Sequence, residues 1–271
     1  MNMNVDVGKK SFRYGALDSI RGFVVISMIL YHACWDLVHI FGKDWNWYRG
    51  MGAYIWQQSI CWSFILLSGF CWSLGKKHLK RGVTVFIAGA VVSLVTIIFM
   101  PENRVVFGVL TLIGSSMIFM TVLHMAIRAV NARAIHAWTV NAWAGLLLSA
   151  ALFFLTRNIN YGYLGFEGWN LLKLPGFLYQ GNVMTFLGFT DPGFYSTDYF
   201  SFFPWFFLYL TGFFLYHVIK RVRNGEIMNT FLRKECPLFS FLGRHSLIIY
   251  MIHQPLIYGI FSVIWLVDFS W

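Results

Sequence analysis

The stretch ALDSIRGFVVISMILYHACWDLVHIF, residues 16–41, decides the fold. As a helix it rises about 39 Å, at 1.5 Å per residue, and the hydrocarbon core of a bilayer is about 30 Å thick. Lys9, Lys10 and Arg13 precede it, as basic residues precede a signal peptide. The apolar run, however, is long, lacks a small-residue cleavage site and carries Asp18, Arg21, His32 and Asp36. It reads as a retained first transmembrane helix.

Six further stretches repeat the apolar pattern: residues 51–74, 83–100, 106–129, 138–156, 202–219 and 239–266. The whole chain has 271 residues, 58% apolar and only 12% charged. Soluble domains carry about 25% charged residues. One soluble domain of this length cannot hide so much apolar surface, and a disordered chain or a disulfide-built secreted domain is excluded too. The runs are continuous rather than alternating, which favours helices over a barrel. The expected fold is all-α, a polytopic membrane helix bundle of about seven transmembrane helices, forming one domain over residues 1–271.

Lys and Arg mark cytoplasmic loops. Fourteen lie in one set of loops, among them Lys9, Lys76, Lys77, Lys80, Arg81, Lys220, Arg221 and Lys234, against five in the alternate set: Lys43, Arg49, Arg104, Arg157 and Lys173. This bias places the N-terminus in the cytoplasm and the 157–201 connection outside. It also accounts for the net charge of +10 without nucleic acid as a partner. Trp45, Trp47 and Tyr48 fall at the outer interface. The 157–201 connection reads as a re-entrant or interfacial piece that lids the bundle. The four Cys have no metal-like spacing and read as packing residues; no metal is expected.

Ionisable residues inside a bilayer are expensive and are functional candidates by default. From Arg21 to His32 is 1100° of helix, within about 20° of the same face. Asp18 and Asp36 each lie about 60° from Arg21, so the four form one stripe, with His32 about 16 Å deeper than Arg21. A neutral imidazole held by a carboxylate is a general-base arrangement, which makes His32 and Asp36 candidates. The last span adds Arg244, then His253 and Gln254 before Pro255. His253 can share the level of His32, but nine residues separate it from Arg244, which puts the two on opposite faces of an ideal helix. Gln254 and His253 are candidate donors to an oxyanion, or a pair tying helices together. Gly108, Thr111 and Gly114 read as close packing or as a ligand-facing groove. His78, His124, His136 and His217 read as interfacial or solvated. Asp198 reads as a helix cap or an outer-site carboxylate.

Leu17 to Gly22 (LDSIRG) followed by Met28 to His32 (MILYH) resembles the opening helix of transmembrane acyltransferases, whose Arg and His are separated by ten residues. Phe64 to Gly69 (FILLSG), Phe107 to Gly114 (FGVLTLIG), Asp198 to Trp205 (DYFSFFPW) and Ser246 to Pro255 (SLIIYMIHQP) follow in order. Together they resemble bacterial relatives of the heparan-alpha-glucosaminide N-acetyltransferase catalytic domain, from about residue 13 to 260. Relatives often carry His where this chain has Thr111, and His39 stands as a second candidate base.

The resemblance implies acetyl-CoA as donor on the cytoplasmic side and an extracytoplasmic sugar or glycan acceptor, in the cell membrane, for a bacterium the inner membrane. Arg21, Asp18, Arg244, Gly108 and Thr111 are then expected at the donor, and Asp198 and Trp205 at the acceptor. A proton-coupled transporter or flippase uses similar buried His, Asp and Arg residues and is the alternative, although no inverted repeat is visible.

Overall fold

A computed structural model describes residues 14–130, 141–222, 226, 230 and 232–268. Long helices run over α1 Gly15–His39, α2 Met51–Trp72, α3 His78–Phe99, α4 Val109–Val130 and α5 Ala142–Thr156. A two-stranded antiparallel hairpin follows, β1 Tyr163–Phe166 and β2 Trp169–Lys173, and then a short helix, α6 Gly181–Leu187. The chain closes with α7 Phe202–Arg221, α8 Pro237–Arg244 and α9 Ser246–Asp268. Six of these helices are long and apolar enough to cross a bilayer, and α2 is a seventh of comparable length. The fold is an all-α, polytopic membrane bundle of about seven spans.

Three details depart from the expected spans. The last one is not continuous: the helix breaks at His245, whose φ/ψ of −102°/13° is non-helical, after the eight-residue α8. Pro237 in the first turn of α8 explains where that piece starts, since an N1 proline lacks only an N–H that would be unsatisfied anyway. The third helix begins earlier than residue 83, at His78. The 157–201 connection holds a hairpin that the sequence reading did not foresee, and α6 has seven residues, about 10 Å, too short to span. The expected start of the fifth span at 138, and His136, lie outside the described residues.

Neighbouring helices close a ring: α1 lies against α2, α2 against α7, α7 against α4, α4 against α3, α3 touches α9, and α9 returns to α1. Helix α5 packs outside the ring on α7, and α8 packs along the start of α1. Two crossings depend on paired glycines. A side-chain carbon on Gly22 would strike the Phe239 carbonyl, and one on Gly243 the Asp18 carbonyl. Gly69 and Gly212 stand in the same relation to the Tyr209 and Leu66 carbonyls between α2 and α7. Without a hydrophobic force between helices in lipid, such close approach supplies the van der Waals contact that holds them. The core centres on α7, where Trp205, Phe206, Tyr209 and Phe213 pack with Ile65, Leu112 and Phe153.

The ring has two distinct ends. At the basic end lie the start of α1, the end of α2, the start of α3 and the end of α7. Trp72 at the end of α2 joins two neighbours: its ring stacks on His78 of α3 at 4.3 Å and meets His124 of α4 at 5.6 Å. At the hairpin end, Asn158 pins the hairpin: its Nδ2 donates to the Glu167 carbonyl at 2.6 Å and to Asn170 Oδ1 at 2.9 Å. Glu167 accepts from Tyr54 at 2.8 Å and sits 3.4 Å from Arg157.

Candidate active site in the ring

Helices α1 and α9 run side by side and place four polar residues together. The rings of His32 and His253 are 4.9 Å apart, edge to face. Gln254 Nε2 donates to Asp36 Oδ1 at 2.6 Å. Asp36 is fully buried. The His253 Nδ1 lies 2.6 Å from the Tyr250 carbonyl. A carbonyl only accepts, so Nδ1 carries the proton and the neutral ring keeps its lone pair on Nε2. That Nε2 is buried with no hydrogen-bond partner, as are Asp36 Oδ2 and Gln254 Oε1. Three unpartnered polar atoms on two adjacent helices are unusual, because each costs about 1–3 kcal/mol where no partner or water meets it.

The expected His32–Asp36 pairing is replaced. Asp36 bonds Gln254, and His32 is half-buried with neither nitrogen hydrogen-bonded among the described residues. The imidazole with a fixed tautomer is His253, held by a backbone carbonyl rather than a carboxylate. One of the two Gln254 amide N–H groups goes to Asp36, which ties α9 to α1; the other has no hydrogen-bond partner among the described residues. His39 lies near the end of α1, its ring tilted against Trp35 at 5.1 Å, apart from this pair.

Asp198 joins the site from the segment before α7. Its Oδ2 accepts from the Tyr250 hydroxyl at 3.4 Å. It lines a small crevice with Gly89, Gly108, Thr111 and Tyr250. Burial pushes its carboxyl up to about 6, against the opposing pull of the Val109 N–H and the Tyr250 hydroxyl. Tyr250, which the sequence reading did not single out, therefore bridges Asp198 through its side chain and His253 through its main chain. Gly108 and Thr111 lie at this end, away from Arg21. Thr111 also packs against Gly89, where a side-chain carbon would stand 2.7 Å from the Thr111 N. Trp205 does not face an open site: it is buried, with the Arg157 guanidinium 4.8 Å over its ring and Phe153 and Phe200 beside it.

At the basic end, Asp18 lies 3.3 Å from Arg21 and 3.8 Å from Arg244. Arg244 also bonds Glu235 at 3.1 Å and Ser240 at 2.9 Å. Arg21 donates to Cys71 Sγ at 3.2 Å. Arg244 thus fastens α8 to α1 within a balanced charge network. His78, His124 and His217, expected as interfacial or solvated, have close neighbours in the bundle. The first two pack on Trp72, and His217 lies 4.7 Å from Phe213 and 3.3 Å from Ser73 Oγ.

A membrane bundle whose first span carries Arg21 at one end and His32 in the polar site has a match among known families. The family model described as "Heparan-alpha-glucosaminide N-acetyltransferase, catalytic" covers residues 13–255. The chain belongs to this family. No curated protein and no solved structure matches it. Membership in the heparan-alpha-glucosaminide N-acetyltransferase family points to a multi-pass membrane acetyltransferase. Among the described residues, no group of three or more His, Cys, Asp or Glu is placed to hold a metal ion.

Proposed function

We propose that this chain moves an acetyl group from acetyl-CoA in the cytoplasm to an amine or hydroxyl of an extracytoplasmic sugar or glycan, as an acyl-CoA-dependent O- or N-acetyltransferase. The basic end is the cytoplasmic one, because Lys76, Lys77, Lys80 and Lys220 gather there. The observation that carries the reading is the His32–His253 pair: two imidazoles 4.9 Å apart inside a membrane bundle, one with its lone pair buried and open.

In this reading His253 Nε2 takes the proton from the acceptor N–H or O–H as the acceptor attacks the thioester carbonyl. The C–S bond then breaks, and the coenzyme A thiolate leaves with the proton returned by the imidazolium. The acetyl group passes directly to the acceptor. His32, with unoccupied ring nitrogens, borders the space where donor and acceptor meet. Asp198, facing the hairpin end, accepts a hydrogen bond from the acceptor's amine or hydroxyl. Tyr250 holds His253 and Asp198 in fixed relation.

Acetyl-CoA binding is the direct test. A ligand that binds only the folded state raises the unfolding transition, so acetyl-CoA is expected to stabilise the detergent-purified chain saturably and ATP is not. His32→Ala is expected to keep that stabilisation and lose acetyl transfer. Absence of stabilisation at millimolar acetyl-CoA overturns the donor, and normal turnover of the variant overturns the role of His32.

A further inference from the structure

The acetyl-transfer mechanism gives Asp36 no task. Its side chain is fully buried in the first span. Among the described residues no Lys, Arg or His nitrogen lies within ion-pair distance of its carboxyl. The titratable groups nearest along the two helices are His32, one turn earlier on α1, and His253, next to Gln254 on α9. Tyr48, just before α2, carries no charge and donates its hydroxyl to the Tyr31 carbonyl. Arg49 faces Asp44, at 3.9 Å. A carboxylate buried in a membrane interior without a cation is too costly to keep, and such a group takes up a proton instead.

The hydrogen bonds point the same way. Gln254 Nε2 donates to Asp36 Oδ1 at 2.6 Å. A carboxyl and a primary amide each hold two polar atoms on one planar carbon, so this contact draws the second atoms of the two groups toward each other. Those second atoms are Asp36 Oδ2 and Gln254 Oε1, and both are buried without a hydrogen-bond partner. With Asp36 ionised both are acceptors, which repel each other and forfeit the partner that a buried polar atom needs. One proton on Oδ2 removes both deficits, because a protonated carboxyl carries an O–H donor and the amide oxygen accepts.

We propose that Asp36 is held as the uncharged acid and closes a two-bond pair with Gln254, Nε2–H to Oδ1 and Oδ2–H to Oε1. The pair fastens α9 to α1 one residue from His253 and one turn from His32, whose rings stand 4.9 Å apart. Asp36 is thus a positioning residue for the two imidazoles. The positioning role rests on the acetyltransferase reading; the proton on Asp36 does not.

Asparagine copies the uncharged acid: its carbonyl accepts where Oδ1 does, and its N–H donates where Oδ2–H does. Asp36→Leu removes both bonds and is expected to lower acetyl transfer at least about tenfold, or about 1.4 kcal/mol of barrier, while acetyl-CoA still stabilises the chain. Asp36→Asn is expected to fold as the unsubstituted chain does and to restore the lost transfer. Gln254→Leu is expected to match Asp36→Leu. Infrared difference spectra between the unsubstituted chain and Asp36→Asn at neutral pH are expected to show the C=O band of a protonated carboxyl, shifted in D2O. A carboxylate band in its place, or an Asp36→Asn chain that loses its fold, overturns the uncharged acid. Full transfer by Asp36→Leu or Gln254→Leu, or none by Asp36→Asn beside an active unsubstituted chain, overturns the positioning role. Transfer absent from every chain, the unsubstituted one included, overturns the acetyltransferase reading, and the infrared band still decides the pair.

Discussion

Asp18 at the basic end and Asp36 near the hairpin end sit on the same helix, and each is buried. Asp18 lies between two guanidiniums, 3.3 Å from Arg21 and 3.8 Å from Arg244. Asp36 has a neutral amide as its hydrogen-bond partner and a second oxygen that bonds nothing. The first arrangement is saturated and belongs to architecture: it joins α8 to α1. The second leaves an acceptor atom unpartnered on the helix that carries His32, where the proposed chemistry is placed. Buried charge alone does not identify a working site in a membrane bundle; what distinguishes these two carboxylates is whether a cation stands beside each.

That distinction breaks most visibly at His253. His253→Ala is expected to lower acetyl transfer by about 10²–10⁴-fold, the usual size of a general-base contribution, with little change in the thermal transition. A transition that falls with the activity would make the histidine pair structural, like the network around Asp18. Asp18→Asn should behave in the opposite way. Removing a carboxylate between two partly exposed guanidiniums is expected to destabilise the fold by about 1–2 kcal/mol, less than the 3–5 kcal/mol of a fully buried pair. Transfer under saturating acetyl-CoA stays within about threefold. Denaturant or thermal unfolding and a turnover assay on the same preparation separate the two effects.

The smallest effect sharpens the comparison at Asp198. Its carboxyl is raised to about 6 from an ordinary value of 3.8, chiefly by burial. The folded state therefore holds this proton more tightly than the unfolded chain does. The resulting stabilisation is full below about pH 4 and disappears as pH rises through about 6. Asp198→Asn cannot ionise, so the difference in thermal transition between it and the unsubstituted chain should change across pH 4 to 6, with the unsubstituted chain losing ground as pH rises. A difference that stays flat across that range would show that Asp198 titrates as an ordinary surface carboxylate.

The spans and the α1 stripe were legible because both are local signals. Hydropathy over about 20 residues marks a span, and helical periodicity alone puts Arg21 and His32 on one face. The pairing of Asp36 with Gln254 was not legible, since 218 residues separate them and no spacing rule reaches that far. The three histidines around Trp72 and Phe213 come from α3, α4 and α7, and each alone looks like an interfacial residue. The break at His245 had a partial signal in Pro237, which fits a helix start inside an apolar run. The hairpin had one too. Glu167-Gly168 is a two-residue turn between two short aromatic-rich segments, but in so apolar a sequence such segments resemble the ends of spans. Trp205 was misplaced because an aromatic at a helix mouth and one in a packed core have the same local sequence.

The junction of α1 with α8 has a consequence for how the chain is made. Ser19 and Cys236 bond each other across 217 positions, so α1, which meets α2 early, gains α8 and α9 only after the spans between them have been synthesised. Until then Asp18, Arg21, His32 and Asp36 are without Arg244, His253 and Gln254. During synthesis the first helix has to wait at the insertion machinery, in water, or against a provisional partner. A chain stopped short of α8 would retain most of its spans and leave that polar stripe facing lipid, a state recognisable to membrane quality control by the exposed carboxylates alone.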